Sequence, residues 1–256
     1  VVLILVGLIF YFTSVFNEYA LDDGIVIHQN EHVLKGVKGI NKIMTKDVYD
    51  SFYRRMNAKD QLLGGRYLPL PVISLAIEQE FIGAYPKDGL YPQRCWDLNG
   101  NKLDDVEEDL NKDGVFNEID CQVKGAAFRH FNNMWAYILA CILLYLVFRN
   151  YLFRDNQDIA FLSALIFISH PIHSSVVANI AGRSEIFSLL FIALTFLFSF
   201  RYLENKKLST LFWATLMYLL ALFSKEYAIV LLALLPIAFY VFTKIEFNLK
   251  AIILPS

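Results

Sequence analysis

Three short stretches hold residues of a type and spacing that could do chemistry: Asp22-Asp23, His170-Pro171-Ile172-His173 with Gly182-Arg183-Ser184-Glu185 downstream, and Ser224-Lys225-Glu226. Of two adjacent carboxylates, one can have its proton affinity raised by its neighbour's charge and by partial burial, which makes Asp22 or Asp23 a usable general base. Arg183 can grip a phosphate with two parallel N–H groups, and Lys225 can supply a point charge. His170 and His173 could hydrogen-bond a phosphate or position a carboxylate; a zinc site would need more ligands than this spacing shows. Each group also has a plainer reading. Asp22-Asp23-Gly24 can be a turn, and Arg183 or Lys225 can snorkel at a membrane surface. No P-loop, dinucleotide fingerprint or zinc-protease helix is present.

A second kind of chemistry sits between residues 97 and 120. Asp97, Asn99, Asn101, Asp105 and Glu108 occupy positions 1, 3, 5, 9 and 12 of a calcium-loop register, with the Leu103 carbonyl at position 7. Asp109, Asn111, Asp113, Asn117 and Asp120 repeat it, with Val115 at position 7 and Gly114 at the sharp turn; the first register has Lys102 there. The two loops abut without a helix between them, so they resemble thrombospondin type 3 or dockerin-like repeats more than paired EF-hands. A structural calcium is the expectation, because nine carboxylates between Asp97 and Asp120 would otherwise repel one another; a solvated acidic loop is the alternative. Cys95 and Cys121 bracket the insert and would staple its base as a disulfide in an oxidising compartment, or stand as two free thiols. Cys141 reads as a small apolar filler within a helix.

The elements that must position these groups are membrane helices. The chain is 56% hydrophobic and 15% aromatic, above the share of ordinary soluble domains, and its 23 basic and 25 acidic residues give no footprint for nucleic acid. Residues 1–16 read as a first transmembrane helix, with a signal-peptide core as the competing reading. Residues 17–84 read as a polar loop with interfacial helices, in which Ile27, Val33, Val37, Ile40 and Ile43 recur, and with a surface or re-entrant helix reaching Phe81. Residues 85–124 form the insert, and 125–256 hold helices two to six and the start of a seventh. Beginning inside one apolar run and stopping inside another, the sequence reads as part of a longer polypeptide.

Lysine and arginine fall after the second helix (Arg149, Arg154), the fourth (Arg201, Lys206, Lys207) and the sixth (Lys244, Lys250). The positive-inside rule puts those connections in the cytoplasm. The long loop, the His170–Glu185 stretch and Ser224-Lys225-Glu226 then share the exoplasmic face. A transporter would concentrate its polar groups at the midplane instead.

In order and in side of the membrane, these motifs resemble the GT-C-fold glycosyltransferases that use polyprenyl-phosphate sugars. The nearest likeness is to the transmembrane and tetratricopeptide-repeat O-mannosyltransferases, relatives of the protein O-mannosyltransferases. Asp22-Asp23 matches the family's pair after its first helix, with Asn30 and Val33 following. Arg66-Tyr67-Leu68-Pro69-Leu70 matches its Arg-Pro-Leu imperfectly. His130 and Asn133 match His-x-x-Asn, His170 to His173 with Gly182-Arg183 match His-Pro-Ile-His and Gly-Arg, and Ser224-Lys225-Glu226 matches Ser-Lys-Glu. Tyr137 departs from the family, standing where a second histidine is frequent, and the insert is foreign to it.

The resemblance implies an all-α GT-C-like bundle moving a sugar, mannose first, from a polyprenyl-phosphate donor to Ser/Thr hydroxyls of exported proteins. In that reading Asp22 or Asp23 is the base, and Arg183, Lys225, His170 and His173 bind the donor phosphate. Glu185, Glu226, Arg66, His130 and Asn133 support them, with no catalytic metal. Tetratricopeptide repeats could follow Ser256. The setting is a bacterial inner membrane facing the periplasm, or an endoplasmic reticulum membrane facing the lumen. The alternative is a non-catalytic membrane subunit that docks an exported partner through a calcium-stabilised insert.

Overall fold

The computed structural model describes residues 1–20, 22–55, 66–82 and 125–243, together with Leu103, Asp105, Val106 and Gly114. The insert's remaining calcium-register positions, Cys95 and Cys121, and the expected seventh helix lie outside the described residues. In chain order the α-helices are α1 (Val2–Tyr11), α2 (Glu31–Leu34), α3 (Ile40–Ile43), α4 (Asp50–Arg55), α5 (Pro69–Ile82), α6 (Ala126–Val147), α7 (Gln157–Ser169), α8 (Ser174–Val177), α9 (Arg183–Asn205), α10 (Leu208–Ser224) and α11 (Leu231–Phe242). Among the described residues there is no strand. Two compact units result: Val1–Val15 with His130–Ser256, and Phe16–Arg129.

The first unit is built from the apolar runs. Met134, Tyr137, Ile138 and Cys141 lie at helical spacing on one face of α6 and are buried against Leu3 and Tyr11 of α1, Ala164 and Ile168 of α7, and Ile186 of α9. Small residues allow the close approach. A Cβ on Gly7 would lie 2.6 Å from Ile138 Cγ1, so α1 packs on α6 only because that position has no side chain. The helices stay apolar on their outward faces, at Leu162, Ile166, Phe212, Leu232 and Ile237; such surface is costly in water and at home in hydrocarbon. Ala126–Leu152 and Ile180–Asn205 are long and apolar enough to cross a membrane. Gln157–Ser169 with Pro171–Val177 passes as a pair bent by 46°, and Val2–Phe16, Leu208–Ser224 and Glu226–Phe242 are shorter apolar helices.

α9 and α10 form a tight hairpin. Lys206 takes the left-handed conformation (φ 53°) and donates its N–H to the Tyr202 carbonyl at 2.8 Å. The Asn205 side chain accepts from the Lys207 N–H at 2.9 Å. These bonds satisfy carbonyls and amides that a helix end leaves open.

The second unit departs from the expected interfacial helices. Its amphipathic stretch breaks into the four-residue helices α2 and α3, because Gly36 is left-handed (φ 60°) and a Cβ on Gly39 would fall 1.8 Å from the His32 carbonyl oxygen. Ile27, Val33 and Ile43 still turn inward, while Val37 is exposed. Asn30 is buried and caps α2, accepting from the His32 and Val33 N–H groups at 3.1 and 3.2 Å. Its own amide donates to the Val48 carbonyl at 3.2 Å, tying this loop to the next. The segment after Arg66 forms the single helix α5, opening with proline at a position where no N–H is needed.

Candidate active site

The His-Pro-Ile-His stretch is a helix end whose loose groups are filled by side chains. Proline has no N–H, so residue 171 cannot close an α-helical bond onto the Phe167 carbonyl. His173 Nδ1 takes that place at 2.9 Å, beside the His170 N–H at 3.2 Å. The Ile172 N–H, which would otherwise reach the Ile168 carbonyl, donates instead to His170 Nδ1 at 3.3 Å. Tyr11 OH then donates to the Ile168 carbonyl at 2.8 Å. The Tyr137 hydroxyl lies 2.7 Å from His173 Nδ1, and its ring meets Tyr11 edge-on at 5.1 Å between centroids. The residue that departs from the family pattern is therefore a direct partner of the second histidine.

Nearby in sequence, Gly182 and Arg183 follow a 3-10 turn over Ile180–Gly182 that Asn179 caps by accepting from the Ala181 N–H at 3.0 Å. Arg183 opens α9 at 2% exposure. Its Nε donates to Asn133 Oδ1 at 2.7 Å, while the Asn133 amide donates to the Asn179 carbonyl at 3.1 Å. The His-x-x-Asn asparagine thus holds both the turn and the arginine, fifty positions away. In the first turn of α9, Glu185 receives Lys225 Nζ at 2.7 Å on one oxygen and the Tyr227 hydroxyl on the other. Glu226 is exposed, and His130 is fully buried.

These contacts link the starts of α6 and α9 to the ends of α7 and α10. The predicted residues of this unit gather at one end of its helices, and Arg149, Arg154, Arg201, Lys206 and Lys207 lie at the opposite helix ends.

In the second unit the two aspartates are unlike one another. Asp23 is wholly buried: its Oδ2 accepts from the Ala20 N–H at 3.1 Å, and its own N–H donates to the Ala20 carbonyl at 3.0 Å. Asp22 is exposed; its carbonyl accepts from Ile25 and Val26 and so starts the helical turn Gly24–His28. Burial pushes the Tyr49 phenol upward, opposed by the nearby Arg66 guanidinium, to which it is hydrogen-bonded, and reinforced by Asp22 and Asp47. Arg66 and Asp22 thus flank one phenol.

A buried polar cluster of this unit was not among the sequence expectations. Arg129 is fully buried and donates to Tyr19 OH at 2.7 Å and to Gln79 Oε1 at 2.5 Å, with Glu78 Oε2 3.7 Å from its Nε. His28 stacks edge-on against Tyr19 at 4.7 Å. Burial, helped by the Arg129 charge, lowers His28 from 6.5 to about 4, so it stays neutral. The signal for this cluster was Glu78-Gln79 within an apolar run and Arg129 at the mouth of the next, both costly unless paired. Among the described residues no group of three or more His, Cys, Asp or Glu could hold a metal ion.

An all-α, multi-pass membrane protein of the GT-C type, with its polar side chains gathered at one end of the helices, is the class these features define. The chain belongs to the dolichyl-phosphate-mannose-protein mannosyltransferase family, whose signature matches residues 125–254. It is also similar to the protein O-mannosyl-transferase TMTC2 of Mus musculus, with 30% identity over 87 residues, 32% of this chain and 10% of that protein. The chain thus spans about a tenth of the length of that curated relative. No solved structure matches it.

Proposed function

We propose that the protein transfers a sugar, mannose first, from a polyprenyl-phosphate donor to Ser/Thr hydroxyls of exported proteins at the exoplasmic face. The observation that carries this reading is the gathering of Asn133, His170, His173, Arg183, Glu185 and Lys225 at one end of the helices of the family-matched region. That end lies opposite the basic connections, which fits an exoplasmic site.

In the reaction the acceptor hydroxyl oxygen attacks the anomeric carbon, the bond from that carbon to the phosphate oxygen breaks, and the configuration inverts. The hydroxyl proton passes to a carboxylate. Asp22, exposed, is the one an incoming hydroxyl can reach, and Asp23, buried and bonded to Ala20, holds the turn. The polyprenyl phosphate departs as charge grows on its oxygen, where positioned cations act most strongly. Arg183 supplies that charge, oriented by Asn133, and Lys225 is held in place by Glu185. A lipid-linked donor kept at membrane depth spares the enzyme a nucleotide-sugar site.

The insert binds calcium as a structural ion and is stapled by Cys95 and Cys121. Chelation should then lower its resistance to proteolysis, and unchanged digestion would remove the ion from the account. Transfer itself is tested with a radiolabelled short-chain polyprenyl-phosphate mannose, an exported-protein extract as acceptor, and the Arg183→Ala form as control. Label on protein with the wild type, falling about a hundredfold or more in the variant, is the expected result. No label with any polyprenyl-phosphate hexose would overturn the reading.

A further inference from the structure

At the helix ends opposite the motif residues, the first unit holds a cavity of about 680 Å³ that the transfer reaction does not use. Its walls are the turn after α6, the end of α9 and the end of α11. A pocket of this size takes a small molecule or a headgroup. The turn over Phe148–Leu152 is wider than an α-helix, the Phe153 N–H donating to the Phe148 carbonyl at 2.7 Å, and such widened turns are frequent at functional sites. The floor of the cavity is aromatic. Tyr151 stacks on the buried Phe200, 4.6 Å between centroids and 11° between planes, and Phe239 meets Phe200 edge-on at 5.3 Å. The rim is charged. Arg154 Nη2 donates to Glu204 Oε1 at 3.3 Å, and Asp155 also lines the cavity. The Arg154 and Glu204 side chains are 71% and 50% exposed, and so open a pair holds neither partner tightly. Both can turn to a ligand.

The span Ile180–Asn205 has 26 residues, about 39 Å of helix against a hydrocarbon layer of about 30 Å. Glu204, near its end, therefore stands at headgroup level. The lining offers one cation, Arg154, and two carboxylates, Asp155 and Glu204. A phosphoglycerol headgroup, with a negative charge alone, would meet Arg154 and be repelled by the carboxylates. A phosphocholine headgroup has the matching charges, but its quaternary nitrogen has no N–H to donate. A phosphoethanolamine headgroup satisfies all three side chains, its phosphate accepting from the guanidinium and its ammonium donating to the carboxylates. We infer that this cavity is a binding site for a membrane phospholipid with a phosphoethanolamine headgroup, Arg154 holding the phosphate and Glu204 and Asp155 the ammonium. The bound lipid ties the turn after α6 to the ends of α9 and α11. None of these residues belongs to the transfer site, so the inference stands apart from the transfer reading.

The test is native mass spectrometry of the whole protein in detergent micelles, titrated with phosphatidylethanolamine, phosphatidylcholine or phosphatidylglycerol of identical acyl chains. The ethanolamine lipid should bind about tenfold more tightly than the choline lipid, the worth of one charge-assisted hydrogen bond, and the glycerol lipid should bind no better than the choline one. Glu204→Gln removes a carboxylate from an exposed position and should bring the ethanolamine-to-choline ratio close to one. Arg154→Gln should weaken both of these lipids together. Equal affinity of the wild type for the ethanolamine and choline lipids, a preference for the glycerol lipid, or an ethanolamine preference that survives Glu204→Gln would overturn the site.

Discussion

Two arginines are almost equally buried, Arg129 at 0% and Arg183 at 2% exposure, and they sit in different units of the chain. Arg129 sits among a phenol, an amide and a carboxylate, with Glu78 and Gln79 coming from consecutive positions of α5. Its charge is met locally, and the cluster reads as a clasp that holds the second unit's helices. Arg183 is oriented through its Nε by the Asn133 side chain, fifty positions away. It also opens a 23-residue helix, whose N-terminal end already favours an anion. Burial alone therefore does not distinguish a structural arginine from a functional one; the company does, Arg129 lying in the second unit's polar cluster and Arg183 at the helix end where the motif residues gather.

The comparison can be broken at either end. The largest effect is expected at the clasp. Arg129→Met leaves the Glu78 carboxylate buried beside an apolar side chain, a loss of about 3–5 kcal/mol, enough to unfold a marginal unit. Purified yield and thermal unfolding report it, and a variant as stable as the wild type would show that the clasp holds nothing. Asn133→Ala should cost less in stability, about 1–3 kcal/mol for the freed guanidinium bond, while lowering transfer by more than the unfolding accounts for. Equal losses in Asn133→Ala and Arg129→Met, scaled to stability, would erase the distinction between the two arginines.

A smaller effect is expected from acid. His28 is held neutral, its pKa lowered from 6.5 to about 4 by burial and by Arg129. Between those values the unfolded chain binds a proton that the folded one refuses, so stability is complete above about pH 6.5 and falls toward pH 4. Melting midpoints across that window should decline in the wild type and decline less in His28→Gln. Parallel curves would remove His28 from the acid response.

The helices were largely legible in the sequence. Of the helices two to six expected within 125–256, α6, α9 and α10 are long and apolar, and α7 is followed by the bend at Pro171. Long apolar runs announce themselves because lipid tolerates no other composition. The motif residues were legible too, but their pairings were not. Asn133 and Arg183 stood out separately, and nothing in spacing says that a side chain on α6 meets one on α9. Tyr11 carried no signal, since a tyrosine in an apolar helix looks like packing until a carbonyl near Pro171 needs a donor, and Tyr137 stood out only as a departure from the family pattern, not as the partner of His173. Ile27, Val33, Val37, Ile40 and Ile43, recurring at spacings of three to six, suggested interfacial helices, and the stretch forms only four-residue ones because Gly36 and Gly39 bound a tight turn between α2 and α3.

The measurement closest to the centre of the account is transfer of labelled mannose by purified protein beside its Asp22→Asn and Asp23→Asn forms, each checked for folding by thermal unfolding. The account predicts that Asp22→Asn stays folded and loses transfer by about a hundredfold or more, the contribution of a general base, while Asp23→Asn loses stability along with activity. Full activity in Asp22→Asn would contradict it and take the exposed carboxylate out of the mechanism.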